Sequence, residues 1–291
     1  MTSIQENLHA KFMCQLCVGR KQQASYCAVC RTCQKHSMHC QCSKQFEDHA
    51  SIRSACDGGI GPLSGTSLSA VKDLNNSLLS SCNYYDINSI NNDVINKTDF
   101  NDLFLIHVNI RSLQKNIDKL TQYILQLKKL PDVIAITETK LNKDLIYNNI
   151  DIDGYNFVHS DSTTNAGGVG FYVKNFLSFK IKLELGLKLN FVENIWIQVD
   201  TDKHPITIGV IYRHPVYIVN QLELFNKALD EIFLHLNMSK TEFYILGDFN
   251  IDLLQAHSNH TIRNYANTLI SYSVKCTIDK PTRILTTRKH Y

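Results

Sequence analysis

The stretch Phe-Tyr-Ile-Leu-Gly-Asp-Phe-Asn, residues 243–250, carries an apolar run straight into a carboxylate and a carboxamide. The apolar half reads as a short buried strand closed by a glycine. A buried strand gains nothing from Asp248 and Asn250 at its end, so these two side chains are candidates for chemistry. Three further apolar runs end the same way. Asn109 follows LFLIHV, Glu138 follows DVIAIT, and Tyr212 and Arg213 follow ITIGVI. Strands lying side by side in packed sheets would bring these ends to one rim. A rim holding a Glu, an Asp, two Asn and a Tyr suits hydrolysis of a phosphate ester. Carboxylate oxygens hold a hard divalent cation, a water needs a base and a positioning partner, and the charge that develops on phosphorus needs donors such as Tyr and Asn. Arg213 reads as a surface charge.

A second group of residues points to a different metal. Seven of the ten cysteines fall between positions 14 and 42. Cys14 and Cys17 form one C-x2-C knuckle, and Cys30 and Cys33 form another. Two such knuckles separated by a loop supply the four ligands of a tetrahedral zinc site. Cys27, His36, His39, Cys40 and Cys42 supply candidates for a second zinc. The pairing of ligands is not readable from spacing. Such a module binds DNA, RNA or protein, or serves only to fold its own segment. His107 and His159 read as strand residues rather than ligands, and Gly167–Gly168 as a tight turn entering a strand.

The elements that must position these groups fall in the second part of the chain. Strands are predicted at 103–108, 131–137, 155–160, 167–174, 178–185, 191–200, 205–212 and 242–250, rich in Val, Ile, Phe and Tyr. Residues 115–130 place Ile117, Leu120, Ile124 and Leu127 on one helical face. Residues 221–236 do the same with Leu222, Phe225, Leu229, Ile232, Phe233 and Leu236, and a third helix is predicted over 261–272. Long helices between runs of strands imply sheets with helices packed outside them.

The chain therefore divides into three: a Cys-rich zinc-binding segment at 1–56, a linker at 57–100, and a larger domain at 101–291. The linker holds seven Ser and seven Asn, with a weak helical pattern over 67–79. The 291 residues are 44% hydrophobic and 20% charged, which fits a globular protein. Net charge is +3 and is concentrated at the start, where residues 1–60 hold seven Lys/Arg against four Asp/Glu. That excess suits an anionic partner. No run approaches the roughly 20 apolar residues of a membrane span, and the first residues lack the apolar centre of a signal peptide. A nuclear or cytoplasmic protein without a membrane partner is the expectation.

Taken together and in order, HVNIRSL, DVIAITETKL, GGVGFYVK, IGVIYRHP, ILGDFN and KPTRI resemble the endonuclease/exonuclease/phosphatase superfamily. More closely they resemble the apurinic-endonuclease-like nuclease domain of non-LTR (LINE, jockey- and CR1-like) retrotransposons, over about residues 103–285. The resemblance implies a DNase I-like α/β (α+β) fold: a four-layer sandwich of two mixed β-sheets flanked by helices. It implies Mg²⁺- or Mn²⁺-dependent nicking of DNA by phosphodiester hydrolysis. By position, Glu138 matches the Mg²⁺-binding glutamate and Asn109 the asparagine beside it. Tyr212 matches a tyrosine that contacts the scissile phosphate, Asp248 the aspartate that activates or orients the attacking water, and Asn250 an asparagine that contacts the phosphate. Arg111 stands where many relatives carry Asp or Asn. The family pattern ends with a late Asp and a Ser-Asp-His motif, and the sequence ends at LTTRKHY with no counterpart. The fold is therefore expected to be incomplete at its C-terminus, and activity weak or lost. The competing expectation is a non-catalytic module that binds nucleic acid or protein on a decayed nuclease scaffold.

Overall fold

The computed structural model describes residues 85–97, 102–143, 149–162, 164, 166–215 and 220–277. Eight strands form two four-stranded sheets. The first sheet has the order β1 (Leu105–Asn109), β2 (Val133–Thr137), β4 (Val169–Lys174), β3 (Tyr155–Ser160). The second has the order β5 (Phe179–Ile181), β6 (Val192–Val199), β7 (Ile206–Arg213), β8 (Glu242–Asp248). Both sheets are mixed: β1–β2 and β7–β8 pair parallel, and the remaining neighbours pair antiparallel. Three helices of eight residues or more are described: α1 (Leu113–Ile124), α2 (Gln221–Met238) and α3 (His260–Ser271).

The alternation of side chains along each strand explains the layering. Val133, Ala135, Val169, Phe171, Ile197, Ile208, Val210 and Leu246 face inward and form a core between the sheets. Val108, Ile134, Ile136 and Tyr172 face outward and pack with α1 through Leu113, Ile117, Leu120 and Ile124. Trp196, Ile211, Phe243 and Ile245 face the other way, onto α2 and α3 through Phe225, Leu229, Phe233, Tyr265 and Leu269. The result is helix, sheet, sheet, helix, as the sequence reading anticipated. Ile117, Leu120 and Ile124 are buried on α1, which ends at Ile124 rather than continuing to 130, so Leu127, expected on the same helical face, is buried just past its end; in α2 only Leu222 is less than fully covered.

Two local departures have clear causes. The strand predicted at 178–185 stops at Ile181 and a 3₁₀ turn, Leu183–Leu185, follows. Lys182 makes the last cross-strand bond, its N–H donating to the Trp196 carbonyl at 2.8 Å. The chain then turns so that Leu185 and Leu187 cover the Trp196 side of the sheet. Residues 87–97, inside the Ser/Asn-rich stretch, coil into short helical turns. Asn91 anchors them, donating to the Gln126 carbonyl at 2.9 Å and accepting from the Lys128 N–H at 2.8 Å.

The zinc candidates Cys14, Cys17, Cys27, Cys30, Cys33, His36, His39, Cys40 and Cys42 lie outside the described residues, as do the helical pattern at 67–79 and the KPTRI motif. Among the described residues, no helix is long and apolar enough to cross a membrane.

Candidate active site

The parallel pairs β1–β2 and β7–β8 end at the same rim of the sandwich. Asn109 is the last residue of β1, Glu138 follows the last residue of β2, and Asp248 ends β8. Tyr212 pairs with Asp248 in the β7–β8 register. Alternation puts Asn109, Tyr212 and Asp248 on the inward faces, so the two sheets present them to each other across the top of the core.

Asn109 joins the two sheets at this point. Its Nδ2 donates to Glu138 Oε1 at 2.7 Å and to Asp248 Oδ2 at 3.0 Å. One amide thus holds two carboxylates that are far apart in sequence, and it offsets part of their mutual repulsion. Its own carbonyl, Oδ1, is buried and has no hydrogen-bond partner. A buried amide oxygen without a partner is costly, by about 1–3 kcal/mol, and such exceptions are few.

Asp248 is oriented from two sides. Oδ2 accepts from Asn109, and Oδ1 accepts the Asn250 N–H at 3.2 Å. Each carboxylate oxygen keeps lone-pair capacity for a further donor. Asn250 has a left-handed backbone, φ 50°, and its Nδ2 donates to the Arg213 carbonyl at 2.7 Å. Arg213 is not a surface charge. It is buried, its Nε donates to the Phe249 carbonyl at 2.6 Å and its Nη2 to the Asn250 carbonyl at 2.7 Å. The guanidinium fork clamps the backbone that carries Asn250, and burial lowers its pKa.

Tyr212 is 3% exposed and packs in the inter-sheet core. Its ring meets His214 edge-on, with centroids 4.9 Å apart. Glu138 sits in a turn whose backbone is left-handed at both Glu138 (φ 55°) and Lys140 (φ 57°). Residues with side chains seldom adopt that region, and here neighbours impose it. Thr139 N–H donates to the Gly168 carbonyl at 3.1 Å and Lys140 N–H to the Gly167 carbonyl at 2.8 Å. Gly168, with φ 92°, is the turn glycine expected from the sequence, and a side chain there would strike Thr139 Oγ1.

Three residues of the rim were not anticipated. Glu193, at the start of β6, is 4% exposed and faces inward opposite Tyr212. His214 and Ser162 both approach it. The sequence signal was a charged residue inside the apolar run FVENIW. Attention to C-terminal strand ends passes over it, because β6 runs antiparallel to β7 and brings its beginning to this rim. One rung below Asn109, His107 is buried in the core, with Nε2 3.1 Å from Thr137 Oγ1. Desolvation lowers its pKa to about 3. It stays neutral and is a strand residue, as the sequence suggested.

The donor set suits a small hard cation. Glu138, Asp248 and the partnerless Asn109 oxygen are all oxygen donors, of the kind Mg²⁺ and Mn²⁺ accept while keeping several waters. Among the described residues no three His, Cys, Asp or Glu side chains gather as a metal-holding group.

Residues 106–283 match the model of the Endonuclease/Exonuclease/phosphatase family. No curated protein matches the sequence. Solved structures with a similar fold include the AP endonuclease LMAP from Leishmania major, at 15% identity and TM-score 0.45, covering 72% of this chain and 77% of that one. The endonuclease domain of TRAS1, a telomere-specific non-LTR retrotransposon, is similar at 13% identity and TM-score 0.41, over 58% of this chain and 71% of that one. An AP endonuclease from Archaeoglobus fulgidus is similar at 14% identity and TM-score 0.42, over 58% and 70%.

Proposed function

The chain belongs to the endonuclease/exonuclease/phosphatase family, and from that membership we propose that it is a divalent-metal-dependent DNA endonuclease of the non-LTR retrotransposon type. The observation that carries this reading is the Asn109 amide, bonded at once to Glu138 and Asp248 with its own oxygen left open. The motif order in the sequence, from HVNIRSL to KPTRI, supports the retrotransposon lineage.

Glu138 and the Asn109 carbonyl would hold Mg²⁺ or Mn²⁺. When bound, the ion supplies charge neutralisation for a phosphodiester approaching pentavalency. The residues do the rest. Asp248, fixed by Asn109 and the Asn250 N–H, has open lone pairs to accept a proton from an attacking water. Tyr212 and Asn250, at strand ends on the same rim, would donate to the phosphate oxygens. Arg213 acts at one remove, by holding the backbone of Asn250 in its left-handed conformation. Exposed Arg111, Lys140 and Lys143 flank Asn109 and Glu138 in sequence and suit contact with the flanking phosphates, which makes binding salt-dependent. The N-terminal cysteines would hold one or two Zn²⁺ and contact nucleic acid or protein.

The test is nicking of supercoiled plasmid with Mg²⁺ or Mn²⁺ by the full chain. Metal-dependent nicks, even slow ones, that disappear in Glu138→Ala and Asp248→Ala support the proposal. Nicks that survive both substitutions refute it. DNA binding without any nicking would favour the non-catalytic binding module.

A further inference from the structure

Glu193 gathers three separate segments of the rim. Its carboxylate accepts the Gly168 N–H. Oε1 lies 3.2 Å from Ser162 Oγ and 3.3 Å from His214 Nε2. Ser162 in turn accepts the Gly167 N–H at 3.0 Å. The fit around the carboxylate is close: a side chain at Gly167 would place its Cβ 2.0 Å from Glu193 Oε2. The glycine pair is therefore shaped by the carboxylate as well as by the turn.

Each of these segments leads to a residue of the proposed site. Gly167 and Gly168 offer the carbonyls that receive the Lys140 and Thr139 amides, and those bonds hold the left-handed turn that presents Glu138. His214 lies two residues past Tyr212 and packs edge-on against its ring. Glu193 itself pairs with Tyr212 across β6 and β7. A carboxylate buried to this degree is retained where its hydrogen bonds are satisfied, and here they come from Ser162 and Gly168 ahead of β4, while His214, just past β7, lies 3.3 Å away without a hydrogen bond. The two sheets meet at Glu193 as they do at Asn109, two strands further along each sheet.

We infer that Glu193 is a positioning residue: through Gly168 it sets the backbone that aims Glu138, and through His214 it sets the ring of Tyr212. It touches neither DNA nor metal. The kinetic consequence rests on the nuclease reading, and the structural consequence does not.

The experiment compares the full chain with Glu193→Gln, which keeps size and one acceptor oxygen but removes the charge. Hydrogen exchange is followed at the amides of Thr139, Lys140 and Gly168, with Ile245 and Leu246 of β8 as internal reference. Protection at the first three is expected to fall tenfold or more while the β8 amides keep theirs. Where the wild type nicks plasmid, kcat should fall at least tenfold with KM within threefold. Unchanged protection at Thr139 and Lys140 overturns the inference. So does an equal loss across β8, which would make Glu193 a residue of general stability, and so does lost protection with an unchanged kcat. A wild type that fails to nick refutes the nuclease reading alone, because the exchange measurement still decides the role of Glu193.

Discussion

On the proposed nuclease reading, Asn109 is the side chain on which the candidate site depends most directly. It bonds Glu138 and Asp248 with one nitrogen, so its removal should leave two carboxylates facing each other without the shared donor. Asn109→Ala is predicted to lower metal-dependent nicking by about 10² or more, the scale of losing one positioned polar group. The fold should survive, since the residue ends its strand and is only half-buried. Nicking kinetics beside a thermal melt check both halves. An activity within threefold of wild type would show that the carboxylates hold their geometry without the bridge. Arg213 illustrates how a residue type misleads when read alone. An arginine beside a tyrosine at a strand end looks solvated, yet alternation turns it away from the inter-sheet core and toward the backbone of Phe249 and Asn250.

At the scale of elements, the parallel pairing of β7 and β8 decides where Asp248 arrives. Gly247 makes that pairing possible. Its φ is 149°, and a Cβ there would lie 1.8 Å from the Ile211 carbonyl oxygen. That contact is with backbone, which has no rotamer to relieve it. Gly247→Ala should therefore push β8 away from β7 at the rung below Asp248. The expected result is a loss of about 3 kcal/mol or more, the range of backbone strain and overpacking combined, with loss of nicking. Urea denaturation measures it. A destabilisation under 1 kcal/mol would mean that the strand end shifts freely and that the position of Asp248 is not set by this pairing.

At the scale of the whole molecule, the inter-sheet core contains one histidine that resists protonation. His107 has a folded pKa of about 3, lowered by burial, against 6.5 as its ordinary value. Between these values the unfolded chain binds the extra proton and the folded chain does not. Stability from this residue is thus full above pH 6.5 and falls as pH drops, until about pH 3. The loss should approach 1.4 kcal/mol by about pH 5.5. Denaturation curves at pH 7.5 and 5.5 test this against His107→Gln, which cannot titrate and should lose less stability over the same interval. Equal pH dependence in both proteins would place the titrating group elsewhere. The Cys-rich segment yields a separate prediction for the full chain. Purified under reducing conditions, it should carry about one or two zinc ions, removable by chelator. Elemental analysis showing no zinc would refute that assignment.

Apolar runs and helical periodicity, read along the chain, were enough to locate the eight strands and the three longer helices of the described residues and to imply helices packed outside sheets, because burial is a local pattern; the four-layer order came from the family resemblance. Side-chain type at strand ends was enough to nominate Asn109, Glu138, Tyr212, Asp248 and Asn250, and the fold brings their strand ends to one rim. The sequence could not show which strands are antiparallel. For that reason Glu193, at the beginning of β6, stayed hidden among apolar neighbours. Nor could it show that Arg213 is buried against the backbone of Phe249 and Asn250, that Gly167 leaves room for a carboxylate, or that one amide bridges Glu138 to Asp248. These depend on which face meets which across two sheets. That is decided by register and packing between residues as distant as Asn109 and Asp248, and no local pattern encodes it.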